Sequence, residues 1–531
     1  MSVSNLISND RRRNSIAWGV LIACMLLAVV ARILPDARTI DDAFITFRYS
    51  RNIVQGLGFV YNPGVHTLGT TTPLFTLLMA LISALTGQQD FPHYAMIVSA
   101  LADAANVFLL YVLTRRLTDN QWLGLLPAVL WALAPFSVTF AIGGMETSVN
   151  ILWMLSATAV FVLSQENASR RSDIVLGLLV ALGFLTRIDS LLWSLPLLGW
   201  QVYESLKNRG AGTFFSRLPL LTWAACMLLV LPWMLFSLSY FGSPLPNSLS
   251  AKTVAYVLPS QAALMRLIQH YALPFNESDT FTPLILVQGV VYLAFSVFAI
   301  LNAVRRMPRL VPFLVYPWVY LVAFSVANPL LFRWYLAPPL PALMVGIIGG
   351  IWFFAHKILG GRSRFVIPTV FAALGVWWLA TTVNAWTLHP DHGPDRPAPK
   401  MAWHQIELYY EQIGKQLRDE YGVTSESRVA SADIGAIGYF SGATIIDTVG
   451  LVTPQLSRYY PVDPALIPEG QNYAIPPQLI ADTAPEYLVT MEAFVRLGLE
   501  QDADFLANYM LLFEIPTDFY GTGMRLYGRI R

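Results

Sequence analysis

The chain has 531 residues, 55% of them hydrophobic and only 13% charged, with a mean hydropathy of +0.52. Soluble domains carry about a quarter charged residues, so this composition describes a multi-pass membrane protein and excludes a soluble enzyme. A formal net charge of +1 gives no basis for a nucleic-acid or other polyanionic partner. The two cysteines, Cys24 and Cys226, both fall inside apolar spans and read as small core residues, not as a disulfide or a metal site.

Arg11-Arg12-Arg13 precede an apolar run over 15–34 without a small-residue cleavage signature, so that run is expected to stay as the first span. Directly after it comes Thr39-Ile40-Asp41-Asp42-Ala43-Phe44-Ile45-Thr46-Phe47-Arg48-Tyr49. Acids at a bilayer exit are costly against lipid and are expected to face a watery cavity between helices. If the stretch is helical, Asp41, Ile45 and Arg48 share one face and Asp42 points about 100° away, as ~3.6 residues per turn requires. One carboxylate could then meet a reacting group while the other orients or supports it. The alternative is that both acids simply cap an interfacial helix.

The segment Thr71 to Leu85 is too short to span comfortably, and Pro73 suits a first helical turn. It is predicted to lie in or dip into the outer face, which makes 35–91 one large external loop that also carries His66. Further spans are predicted near 92–113, 122–141, 147–164, 174–186, 190–203, 218–240, 281–303, 310–327, 335–355 and 365–386, giving about eleven in all. With the N-terminus cytoplasmic, sixteen Lys and Arg residues fall on cytoplasmic ends and eight on the outer side before residue 388. That bias sets the orientation.

The outer turns then collect polar residues on one side of the bilayer: Gly143-Gly144-Met145-Glu146-Thr147, Thr186-Arg187-Ile188-Asp189, the loop after residue 242 with Lys252, and Arg333 before the tenth span. Arg187 and Asp189 could pair with each other and Arg333 could snorkel to headgroups, so their common sidedness is what points to a site. Beyond a Pro-rich linker over 387–400, charge returns. Residues 401–531 are expected to form an extracytoplasmic α/β domain, with a helix over Trp403–Tyr421 and strands at Arg428–Ala432, Thr444–Asp447, Tyr487–Thr490, Tyr509–Glu514 and Met524–Ile530. Gly435-Ala436-Ile437-Gly438-Tyr439-Phe440-Ser441-Gly442 lacks the ending and spacing of a nucleotide-binding loop and reads as a strand-to-helix turn. His389-Pro390-Asp391-His392 has no matching ligand cluster and reads as linker.

Paired acids over a membrane cavity, with basic residues at headgroup depth, suit a reaction between a lipid-borne phosphate and a hydroxyl acceptor. A carboxylate removes the hydroxyl proton, a second carboxylate supports an oxocarbenium-like transition state, and a guanidinium neutralises the departing phosphate. A base on one face with phosphate leaving from the other implies inversion. A transporter or flippase of a lipid-linked or polar solute is the competing reading, because charges within a membrane also mark substrate paths. Against it, Gly- or Pro-interrupted spans do not recur in matching halves.

The order of first span, Asp41-Asp42-Ala43-Phe44-Ile45-Thr46-Phe47-Arg48-Tyr49, Thr72-Pro73-Leu74, Gly144-Met145-Glu146-Thr147 and a C-terminal outer domain resembles the GT-C superfamily of integral membrane glycosyltransferases. The resemblance covers the membrane part, 1–386, and extends more weakly to the tail. Within the superfamily the chain is similar to actinobacterial cell-wall arabinofuranosyltransferases, whose loop opens on a comparable acidic pair. It departs from the protein mannosyltransferase and lipid A aminoarabinose transferase branches, which carry a basic or His residue where this chain has Thr71-Thr72. The resemblance implies a polyprenyl-phosphate-linked sugar donor, with arabinofuranose as a candidate, and a cell-envelope glycan, lipid or protein acceptor at the plasma or inner membrane. It further implies that Asp41 or Asp42 is the catalytic base, with Asp41 preferred, and that Arg187 or Arg333 contacts the lipid phosphate. The candidate substrate-binding residues are Arg48, His66, Thr72, Glu146, Arg187, Asp189, Lys252 and Arg333. The residues name no definite cofactor, and Asp41 and Asp42 together are a candidate site for a divalent cation.

Overall fold

The computed structural model describes residues 3–165, 169–208, 218–275, 282–360, 363–385 and 402–530. The expected linker 387–400, with its His389-Pro390-Asp391-His392 motif, lies outside the described residues. The first helix, α1 (Val3–Ile33), is followed by α2 (Asp41–Val54) and α3 (Pro73–Thr86), both within the loop read as external. Pro73 opens α3 and Gly87, in the left-handed region, closes it, which is why this apolar segment stays 14 residues long. The bundle continues through α4 (Phe91–Thr118), α5 (Gln121–Ala132), α6 (Pro135–Ile142), α7 (Thr147–Leu163), α8 (Arg170–Thr186), α9 (Leu191–Asn208) and α10 (Leu220–Phe241). After two short helices, α11 (Ser248–Ala255) and α12 (Ala262–Ala272), it ends with α13 (Pro283–Arg306), α14 (Val311–Ala327), α15 (Leu340–Leu359) and α16 (Ser363–Ala385).

Among the described residues, every apolar segment expected from the sequence contains a helix. Among the described residues, seven helices are long and apolar enough to cross a bilayer, and α5 with α6 makes an eighth bent by 46°. Pro135 causes the bend, since it offers no N–H to continue the α5 ladder. The shorter helices α7, α8 and α9 pack in the same bundle. Leu228 on α10, Leu284 on α13 and Val376 on α16 are among the exposed leucines and valines that give the bundle an apolar outer surface suited to lipid. The chain is a multi-pass membrane protein. Small residues set helix spacing inside the bundle: a methyl group at Gly177 of α8 would collide with the Thr222 carbonyl of α10, and one at Gly350 of α15 with the Phe295 carbonyl of α13.

The bundle also buries an ion pair that sequence reading passed over. Arg32 and Asp103 are both fully buried, with Nε and Oδ2 2.7 Å apart. Asp103 accepts further bonds from Trp131, Ser137, Ser148 and Asn106. Arg32 donates to the Ala28 and Ala132 carbonyls and to Ser137. Such an ionisable residue in a span is a functional candidate by default, but this one is fully satisfied and ties α1, α4, α5 and α6 together.

The C-terminal domain comprises α17 (Ala402–Asp419), β1 (Arg428–Ser431), α18 (Gly435–Ser441), β2 (Thr444–Asp447), α19 (Pro477–Thr483), β3 (Tyr487–Met491), α20 (Ala503–Asn508), β4 (Tyr509–Pro516) and β5 (Gly523–Arg529). The strands form one mixed sheet ordered β2-β1-β3-β5-β4; the first three run parallel and β5 is antiparallel to both β3 and β4. All five strands stand where the sequence reading placed them, to within a residue or two at their ends. The apolar core of this domain is continuous with Phe44, Phe47, Tyr49 and Tyr61 of the 35–91 loop. In packing terms, α2 therefore belongs as much to the C-terminal domain as to the bundle.

Candidate active site

The polar outer turns expected from the sequence converge at one end of the bundle, beneath the C-terminal domain. Two backbone bonds, Arg38 N–H to the Ile142 carbonyl and Ile40 N–H to the Gly143 carbonyl, pin the entry to α2 against the turn between α6 and α7. Gly144, in the left-handed region, packs closely against Ala43 and Phe47, so a side chain there would be strained and would push on both. This turn delivers Glu146 to the start of α7, where its Oε1 lies 2.6 Å from Nη1 of Arg187. Arg187 also makes a paired contact with Asp189, Nε to Oδ1 and Nη2 to Oδ2, each at 2.9 Å. It sits 4.8 Å from the centre of the Tyr335 ring.

Helix α2 separates the two acids as the helical spacing predicts. Asp42 faces the membrane-side cavity, with Oδ2 3.2 Å from the ammonium of Lys252 on α11. Burial works against the Lys252 ammonium, but Asp42 and Tyr335 hold its pKa above the ordinary lysine value. Asp41 turns toward the C-terminal domain. Its two oxygens accept the Gly435 and Ala436 amides at 2.8 and 2.7 Å, and its own N–H donates to Glu407. Burial first, and Asp433 second, push the Asp41 pKa up, against the pull of those two amides.

Two cavities meet at Asp42. The smaller, about 60 Å³, is lined by Thr46, Thr70, Thr72, Glu146 and Arg187. The larger, about 380 Å³, lies between the two domains and carries Arg266, Arg333, Tyr256 and Phe332 on the membrane side, with Glu407, Asp433, Gln471, Asn472, Phe494 and Tyr520 on the other. Asp42, Ile45, Lys252, Trp334 and Leu451 line both. The hydroxyls of Thr46, Thr70 and Thr72 form a chain with 3.1 Å steps along the small cavity.

Of the expected residues, Asp41, Asp42, Thr72, Glu146, Arg187, Lys252 and Arg333 line these cavities, and Asp189 stands behind Arg187. Three candidates are held differently from the rest. Asp41 lines the larger cavity but has both carboxylate oxygens bonded to amides of the C-terminal domain, whereas Asp42 pairs with Lys252. Arg48 is buried beneath that domain, bonded to the Gly438 and Ala443 carbonyls, because it shares the Asp41 face of α2. His66 is exposed and stacked on Tyr240 with ring centres 4.1 Å apart, outside both cavities. At the doublet proposed for a divalent cation, both Asp41 oxygens accept backbone amides and Asp42 pairs with Lys252. Among the described residues no three His, Cys, Asp or Glu groups converge as cation ligands. Sequence reading missed Tyr256 and Asp433, whose only signal was their placement near the ends of short elements that the fold brings to this cavity.

Comparisons with known proteins agree with this architecture. A family described as dolichyl-phosphate-mannose-protein mannosyltransferase matches residues 70–236, and one described as a domain of unknown function (DUF8728) matches 399–527. No curated protein matches the chain by sequence. The crystal structure of the apo oligosaccharyltransferase of Archaeoglobus fulgidus is similar in fold, with a TM-score of 0.55 at 12% identity, over 90% of this chain and 70% of that one. The same organism's oligosaccharyltransferase AglB, in complex with an inhibitory peptide and a dolichol-phosphate, gives 0.54 at 14% identity, over 98% and 74%. ArnT of Cupriavidus metallidurans, bound to undecaprenyl phosphate, gives 0.53 at 13% identity, over 96% and 97%. The chain has the fold of the GT-C superfamily of membrane glycosyltransferases, as its loop residues led us to expect.

Proposed function

We propose that this protein is an inverting glycosyltransferase that moves a sugar from a polyprenyl-phosphate donor to a hydroxyl of a cell-envelope glycan, lipid or protein. Arabinofuranose is the candidate sugar, from the resemblance of the acidic loop alone. The observation that carries the reading is the position of Asp42, ion-paired to Lys252 where two cavities join under an outer domain. The mannosyltransferase match over 70–236 supports it, as do solved neighbours that hold dolichol-phosphate or undecaprenyl phosphate.

In this reading Asp42 takes the proton from the acceptor hydroxyl as that oxygen attacks the anomeric carbon. The bond from that carbon to the phosphate oxygen breaks, and its electron pair leaves with the phosphate. Attack and departure occur on opposite faces, so the anomeric configuration inverts. Lys252 and Arg333, both on the larger cavity, offset the growing phosphate charge. Arg187 is less suited to that task, since Glu146 and Asp189 already neutralise it. Its role is to hold three outer turns in register.

The orientation belongs to the same proposal: N-terminus cytoplasmic, C-terminal domain outside, at the plasma or inner membrane. Arg306, Arg309 and Lys357 contact Phe353, Glu204 and Phe298 at the helix ends remote from Asp42, which supports a cytoplasmic basic face there. A flippase would use charges inside the bundle, and Arg32 with Asp103 is locked by its own bonds. The test is transfer of label from synthetic polyprenyl-phosphate sugars to envelope acceptors by the purified protein. Turnover with at least one pentose or hexose donor supports the proposal; movement of intact donor across vesicles without sugar transfer refutes it.

A further inference from the structure

The glycine-rich stretch Gly435 to Gly442 binds no nucleotide in the reading above, yet its glycines have a use that the structure makes plain. After β1 the chain turns into α18, and the backbone at this turn lies directly against α2. A methyl group on Gly435 would collide with the Asp41 carbonyl, and one on Gly438 with the Tyr61 hydroxyl and the Arg48 guanidinium. The approach is sealed by hydrogen bonds in both directions. Asp41 receives the Gly435 and Ala436 amides. Arg48 donates to the Gly438 carbonyl at 2.7 Å and to the Ala443 carbonyl at 2.5 Å, and Tyr61 donates to the Ile434 carbonyl at 2.5 Å. Asn62 donates to the Ile445 carbonyl and accepts its amide, extending strand β2 toward the loop.

Asp41 and Arg48 lie seven residues apart on α2, two helical turns along one face, so the helix is held near its start and again midway. Asp42 lies within the held segment. A carboxylate that must meet an acceptor hydroxyl at hydrogen-bond distance gains from having its own helix fixed in this way, because small displacements of a general base are costly in rate.

We infer that the 435–438 turn of the C-terminal domain is a clamp on α2, and that Asp41 is a positioning residue which sets the reach of Asp42 through that clamp. The domain is thus part of the catalytic apparatus, beyond any contact its cavity wall makes with an acceptor. The inference rests on the reading of Asp42 as the base, but the clamp itself can be measured apart from activity.

The experiment compares full-length wild-type protein with D41N and G435A in detergent, by hydrogen–deuterium exchange and by transfer kinetics. The Asn side chain can accept one of the two amides but meets the other with its own NH2 group. Amides 41–46 and 435–438 should therefore exchange faster in D41N, while thermal stability stays near wild type. With a polyprenyl-phosphate sugar, kcat per folded enzyme should fall between about 10- and 100-fold in D41N, with donor KM unchanged, as expected for a misplaced base. G435A should show the same split; if it fails to fold, D41N alone decides. Unchanged exchange in D41N overturns the clamp whether or not the protein is a transferase. Faster exchange with wild-type kcat, or a loss confined to KM, overturns the positioning role. Absence of transfer in the wild-type protein refutes the glycosyltransferase reading and leaves the clamp to be judged by exchange.

Discussion

Asp42 of α2 and Lys252 of α11 are 210 positions apart in the chain and 3.2 Å apart in space, and both line the two cavities that meet beneath the C-terminal domain. Lys252 is more than a counter-ion to the acid. Its ammonium also lies 4.5 Å from the centre of the Phe332 ring, so a packed aromatic wall fixes its direction.

If Lys252 offsets the charge of the departing phosphate, K252M should lower kcat/KM for donor by roughly 10- to 100-fold, the worth of one charge-assisted hydrogen bond. K252R should recover part of that loss because it keeps the charge. Steady-state transfer kinetics with the two variants check this; equal, small effects of both would argue that Lys252 only packs.

The Arg32–Asp103 pair makes a prediction about stability and none about chemistry. Replacing Arg32 with Met leaves the Asp103 carboxylate buried without its cation and should cost about 3–5 kcal/mol. The R32M/D103N double variant should recover much of it, since the remaining amide can still be bonded by Trp131 and the serines. Thermal unfolding in detergent, followed by intrinsic tryptophan fluorescence, reads both.

Asp433, in the larger cavity, gives a pH dependence whose sign can be worked out. Burial chiefly, and Asp42 after it, raise its pKa to about 6, against the Tyr410 hydroxyl and Lys252. A carboxyl that holds its proton more tightly when folded stabilises the fold at low pH. That stability is lost as pH rises from the ordinary carboxyl value of about 4 through the folded value. D433N, neutral throughout, should therefore gain thermal stability over wild type at pH 7.5 and little or none at pH 4.5. An identical difference at the two pH values would contradict the assignment.

Much of this architecture was legible in the residues. The periodicity of 3.6 placed Asp41 and Arg48 on one face of α2 with Asp42 off it, and the structure bonds Asp41 and Arg48 to the C-terminal domain while Asp42 pairs with Lys252 where the two cavities meet. Pro73 and the short apolar run after it marked α3 as a separate helix shorter than a span. The five strands were read from the sequence close to their observed bounds. What could not be read was which face of α2 would do which job, because the partners of Asp41 lie 394 and 395 positions away. Arg48 and His66 were grouped with the site by sidedness alone, a criterion that places a residue at the right depth without saying what covers it. Asp103 was hidden for a different reason: one acid in a long apolar run barely changes its hydropathy, and its partner Arg32 sat at the edge of another span.

The most direct test of the account is the single variant D42N in purified full-length protein, with binding of polyprenyl phosphate and sugar transfer measured side by side. Lipid should still bind and transfer should fall to background, because the phosphate contacts survive and the base is gone. Transfer by D42N at the wild-type rate would contradict it.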